Sequence, residues 1–150
     1  MFELKVVSNT PLSAETNLDI VLETFLIQIG YITKNYDPKT TADNLRDSIP
    51  YLLFKNYFVR SPEKAWTVEE LSAHLKTTKP TIYRHINKLK SIDILESVEV
   101  EYEGSLKKGY RIRYGNLSKA WNFTEANVSM AMENYKKTID HIQSLVETRE

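Results

Sequence analysis

The chain has 150 residues, 41% hydrophobic and 27% charged, which fits one soluble globular unit with a core of its own. It holds no cysteine, which excludes disulfides, thiolate metal sites and cysteine nucleophiles. Twenty basic side chains balance twenty acidic ones, so any anion-binding surface has to be local rather than global.

In chain order, the opening MFELKVVSN has an early acid and no long apolar run, so no secretion signal is expected. Phe2–Val7 fits either a short strand or an ordered tail. The apolar-rich stretch Thr24–Thr33 is too short to span a bilayer, so no membrane partner and a cytoplasmic location are expected. A first helix is expected from Ser13 as N-cap, with Glu15 in its first turn. Its apolar residues Leu18, Leu22, Phe25, Ile29 and Ile32 are spaced 4, 3, 4 and 3, and Val21 and Leu26 widen the stripe. Gly30 and then KNYDPKT end it.

A second helix is expected from Thr41 to Val59, and Pro50 either kinks it or splits it in two. PYLLFKNYFV reads as core and RSPEKAW as a connector. In TVEELSAHL, Thr67 and Glu70 form a capping-box pattern, and Val68, Leu71 and Leu75 give one apolar face. KTTK is a short turn. KPTIYRHINKLKSI then places Pro80 in a first helical turn and Ile82, Ile86 and Leu89 on a buried stripe.

After Ile94 the period changes to two. Val98, Val100 and Tyr102 alternate with Glu99, Glu101 and Glu103. EGSLKKG reads as a glycine-bounded turn, and Tyr110, Ile112 and Tyr114 alternate with Arg111 and Arg113, so a β-hairpin is expected. A long helix follows, roughly Thr124–Thr148. On it Val128, Met132, Tyr135, Ile139, Ile142 and Val146 form a heptad seam, suited to pairing with a second copy or to packing on Leu18–Ile32. The fold class expected is mainly α with a small hairpin wing. Residues 1–40 read as a helical extension, 41–117 as a winged-helix DNA-binding domain and 118–150 as a dimerisation helix.

Positive charge is confined. Residues 76–113 carry nine basic side chains against five acidic, and no acid lies between Lys76 and Lys90. The order helix, helix, tight turn, helix, hairpin is a winged helix-turn-helix layout. With Ile82, Ile86 and Leu89 against the core, Lys79, Thr81, Tyr83, Arg84, Asn87, Lys88 and Ser91 fall on the outer side of the third helix. A helix of that width fits the DNA major groove, where arginine, asparagine and threonine can meet base edges. Lys107 and Lys108, read at the hairpin tip, suit phosphate or the minor groove. Arg111 and Arg113 suit either glutamate pairing or phosphate.

PTIYRHINKLKSIDILE resembles the recognition-helix segment of the ArsR/MarR-type winged-helix transcriptional regulators, through Pro80, Thr81, Ile82, Arg84, His85, Ile86 and Leu89. The resemblance covers about residues 49–114. It implies that Thr81, Tyr83 and Arg84 face DNA, that His85 lies close to the backbone, and that the hairpin is the wing. Two departures stand out. Asp93 replaces the usual glycine after the recognition helix and tolerates the left-handed backbone needed there. The cysteine metal-sensing motif of the ArsR branch is absent. The partners expected are double-stranded DNA and a second copy of the chain, and nothing in the sequence specifies an effector. His74, His85 and His141 share no ligand spacing, so no metal site is expected. No phosphate loop or nucleophile constellation is present, so neither a cofactor nor an enzyme is expected.

Overall fold

A computed structural model of the chain describes residues 2–6, 9–33 and 43–149. Val7, the stretch 34–40 and Thr41 lie outside them. Residues 2–6 form no strand, and Glu3 N–H donates to Ser91 O (2.8 Å).

Helix α1 (Leu18–Gln28) starts later than Ser13. Asn17 is the cap: its Oδ1 accepts the N–H groups of Asp19 (3.0 Å) and Ile20 (3.3 Å). Upstream, Glu15 N–H is held in a turn by Leu12 O, and Glu15 Oε1 accepts Asn17 N–H, which keeps Ser13 out of the helix. Gly30 (φ 81°) stops α1, and Ile32 N–H reaches back to Leu26 O (3.1 Å), folding Tyr31 and Ile32 into the core.

Pro50 splits the second helix rather than kinking it. Helix α2 (Asp43–Asp47) ends at Ser48, whose backbone is extended, and α3 (Ile49–Leu52) begins with Pro50 in its first turn. Helix α3 continues as a π-helical stretch (Leu53–Val59), in which Arg60 N–H donates to Lys55 O five residues back. Tyr51, Leu53, Phe54 and Phe58 of this stretch are buried, as the apolar run predicts. Asp19 ties α1 to it by accepting hydrogen bonds from Lys55 Nζ (2.6 Å) and the Tyr51 hydroxyl.

Strand β1 (Trp66–Thr67), helix α4 (Val68–His74), helix α5 (Lys79–Ser91), strand β2 (Leu95–Tyr102) and strand β3 (Ser105–Ile112) follow. The expected capping box closes α4: Glu70 N–H donates to Thr67 Oγ1, and Thr67 N–H to Glu70 Oε2. The sheet is antiparallel in the order β1-β3-β2. Strand β1 joins Trp66, read as the end of a connector, to the helix cap Thr67, and sets Trp66 opposite Tyr110 and Thr67 opposite Gly109.

The hairpin turn is shorter than EGSLKKG. Glu103 (φ 50°) and Gly104 (φ 80°) make a two-residue left-handed turn, and pairing runs from Tyr102–Ser105 to Leu95–Ile112. Lys107, Lys108 and Gly109 therefore lie within β3. At Gly109 a Cβ would come within 2.9 Å of Ala65 Cβ and 3.1 Å of the Val100 methyls, so the close approach of Ala65, just before β1, and of Val100 favours glycine there. Arg113 and Tyr114 fall beyond the strand in a tight turn, with Tyr114 at φ 61°.

Helix α6 (Leu117–Glu147) begins before Thr124, with Asn116 Oδ1 capping Lys119 N–H. Its first turns pack on the body. Ala120 and Thr124 are fully buried, Thr124 Oγ1 donates to Ile92 O (2.7 Å), and Trp121 meets Phe25 of α1 edge-on at 5.7 Å. Past Ala131 every described residue of α6 is exposed. Among the described residues no helix is long and apolar enough to cross a membrane. The whole is mainly helical, a winged helix-turn-helix with flanking helices.

Candidate nucleic-acid interface

Helices α4 and α5 meet through a tight turn in which Lys76 takes a left-handed conformation (φ 53°). Thr78 caps α5: its Oγ1 accepts Thr81 N–H (3.3 Å) and lies 2.9 Å from Thr81 Oγ1. Ile82, Ile86 and Leu89 are fully buried, which fixes the roll of α5 and turns Lys79, Tyr83, Arg84, Asn87 and Lys88 to solvent. Thr81 and Ser91 are half-buried. Tyr83 is 44% exposed, so its ring is off the core. Among the described residues neither Arg84 nor Lys88 has an ion-pair partner.

His85 departs from the expected position beside the DNA backbone. It is 7% exposed, edge-on to Tyr31 at 6.3 Å, and its Nδ1 has no hydrogen-bond partner among the described residues. Burial, with the charges of Arg84 and Lys88 acting in the same direction, pushes its pKa down to about 4. It is a neutral core residue. The spacing Ile82, His85, Ile86, Leu89 is 3, 1, 3, the pattern of one helix face, so the sequence carried this signal.

The basic residues of the hairpin are largely matched by acids. Lys107 is not at the tip. It lies opposite Val100, and its Nζ is 3.1 Å from Glu69 Oε1 on α4. Lys79 Nζ is 3.8 Å from the same oxygen. Lys108 is exposed but sits across the ladder from Glu99. Arg111 pairs with Glu96 (3.0 Å), the glutamate alternative of the two. Arg113 instead donates to Asp93 O (2.9 Å) and lies 4.2 Å from the centre of the Phe123 ring. The tip itself presents Glu101, Glu103 and a 71% exposed Leu106. Glu69, which touches two of the expected contact lysines, was not singled out by the sequence because an acid in a first helical turn has an ordinary explanation.

Along the seam of α6, Val128 is half-buried while Met132, Tyr135, Ile139, Ile142 and Val146 are each more than half exposed. From Met132 onward the seam is exposed rather than buried against the body. Among the described residues no group of histidine, aspartate and glutamate is arranged to hold a metal ion.

The family described as a helix-turn-helix domain matches residues 53–98. No curated protein matches the chain. A solved structure described as a possible transcriptional regulator from Methanosarcina mazei Go1 is similar to it at 18% identity, covering 69% of this chain and 79% of that one with a TM-score of 0.41. Residues 53–98 are thus similar to a helix-turn-helix domain, and the β2–β3 hairpin beyond α5 completes the winged arrangement in the fold.

Proposed function

We propose that the chain is a sequence-specific, double-stranded-DNA-binding transcriptional regulator that acts as a homodimer. Helix α5 enters the major groove, with Thr81, Tyr83, Arg84 and Asn87 toward base edges and Lys79 and Lys88 toward phosphates. The hairpin, residues 95–114, lies along the backbone or minor groove through Lys107 and Lys108. Residues 41–117 form the DNA-binding unit and 118–150 the dimerisation helix, behind the extension 1–40. The observation that carries this reading is the outer face of α5. Arg84 and Lys88 are exposed there without an acid between Lys76 and Lys90, while the opposite face is fully committed to the core.

The dimer rests on α6. Five apolar residues of a heptad seam stand in water on a helix whose root is anchored, a costly arrangement unless a second copy covers it. Paired this way, two α5 helices reach half-sites about one helical turn apart. Fluorescence anisotropy with duplex DNA across a salt series tests the reading. Affinity is expected to fall steeply with salt, and Arg84→Ala to weaken it by about 1–3 kcal/mol. A folded wild type that fails to bind any duplex at low salt overturns it.

A second reading, a winged-helix module that docks on protein, is favoured by the hairpin tip. Glu101, Glu103 and exposed Leu106 there suit a basic, partly apolar protein surface better than a phosphate backbone. The same titration separates the two.

A further inference from the structure

Two ammonium groups from different elements converge on one carboxylate oxygen. Lys107 Nζ of β3 is 3.1 Å from Glu69 Oε1, and Lys79 Nζ, at the start of α5, is 3.8 Å from it. Both lysines belong to the surface proposed to meet phosphate. Glu69 stands between the reading helix and the hairpin, in the first turn of α4. Its own backbone N–H, Lys107 and Lys79 hold its carboxyl below the usual range, so it is ionised at neutral pH. One negative charge facing two positive ones leaves the cluster with a net positive charge. A phosphate is therefore still attracted, but it finds both ammonium groups already occupied. The three side chains are only partly buried, so the contacts exchange readily with solvent and with an incoming anion.

We infer that Glu69 is an internal competitor of the phosphate backbone: it holds Lys79 and Lys107 together and yields them when a phosphate oxygen takes its place, which restrains affinity for DNA. Glu69 is a positioning residue here, acting through the two lysines. The inference rests on the DNA-binding reading for its biological meaning, but the anion competition itself is separable from it.

The test is Glu69→Gln, which keeps the shape and removes the charge, with folding checked by circular dichroism. Duplex binding is expected to tighten about fivefold at low salt. The plot of log affinity against log salt is expected to steepen by roughly one to two units, about one per lysine released. Both gains are expected to vanish when Glu69→Gln is made in a Lys79→Gln/Lys107→Gln background. A general loss of negative charge would instead persist there. Unchanged or weaker binding by Glu69→Gln, or an equal gain without the lysines, overturns the inference. Retention on immobilised heparin reads the same lysines without requiring a duplex site. If no variant binds duplex, yet Glu69→Gln elutes later and the delay disappears with the lysines, the competition stands and the DNA reading falls. If duplex binding is intact and Glu69→Gln changes neither measurement, the DNA reading stands and the competition falls.

Discussion

Asn127 Nδ2 donates to Asp93 Oδ2 at 2.7 Å, fastening α6 to the corner where α5 turns into β2. Asp93 holds that corner in a left-handed backbone (φ 60°), and its carbonyl oxygen accepts from Arg113 Nε at the far end of the hairpin. One residue thus ties α5, the hairpin and α6. A glycine would supply the backbone conformation alone. The aspartate supplies the conformation and a side-chain acceptor as well.

Asp93→Ala removes both the acceptor and the tolerance of positive φ. It is expected to destabilise the fold by about 2 kcal/mol. Asp93→Gly, which relieves the backbone but not the hydrogen bond, is expected to cost about half as much. Urea denaturation of the two variants checks the order. If both lose the same amount, the backbone strain contributes nothing.

Stability is expected to depend on His85 as pH falls. Its folded pKa, about 4, is below the 6.5 of an exposed histidine, so the unfolded chain binds the proton first. The contribution is fully present above pH about 6.5 and declines progressively toward pH about 4, amounting to roughly 3 kcal/mol at most. His85→Leu is expected to flatten the stability profile in that window. Asp19 and Glu69, whose pKa values are lowered in the fold, lose their contributions as pH falls through the ordinary carboxylate range and below it. A wild-type profile that is flat from pH 6.5 to 4 would contradict the burial of a neutral imidazole.

Gly109→Ala is expected to destabilise the protein by about 1–3 kcal/mol, because the added methyl meets Ala65 beside the sheet and Val100 within it. Pairing it with Ala65→Gly is expected to recover part of that loss. Thermal melts of the two single variants and the double variant measure the coupling. Simple additivity would mean the clash with Ala65 is not the cause.

Ile139→Asp places a charge in the middle of the exposed seam of α6. Because Ile139 is 59% exposed in the single chain, the folded protomer is expected to tolerate it, with stability changed by less than about 0.5 kcal/mol. Light scattering at micromolar concentration is expected to show a dimer for wild type and a monomer for the variant. A wild-type monomer at that concentration would refute pairing through α6.

Much of this was written in the sequence, and the reasons for the exceptions are physical. The α5 stripe and the Thr67–Glu70 capping box each have a strong local signature, the family resemblance pointed to a left-handed Asp93, and all three are present in the fold. Strand β1 has two residues, too few to show a period. Glycines at 104 and 109 looked like the two ends of one turn, whereas only the first has positive φ and the second makes room for a neighbour. Lysine at an inward strand position contradicts simple polarity alternation, and its partner Glu69 is distant in sequence. His85 was legible from its spacing, but the family resemblance placed it toward the DNA backbone.

The anchored root and free shaft of α6 make it a lever arm. From Asn127 to Glu147 it extends about 30 Å, so a swing of one degree about the Asn127–Asp93 hydrogen bond moves its far end by about 0.5 Å. In the proposed pair, the crossing angle of two such arms sets the gap between the two reading heads. Substitutions along the seam can therefore retune the span of the binding site without altering a single residue of α5.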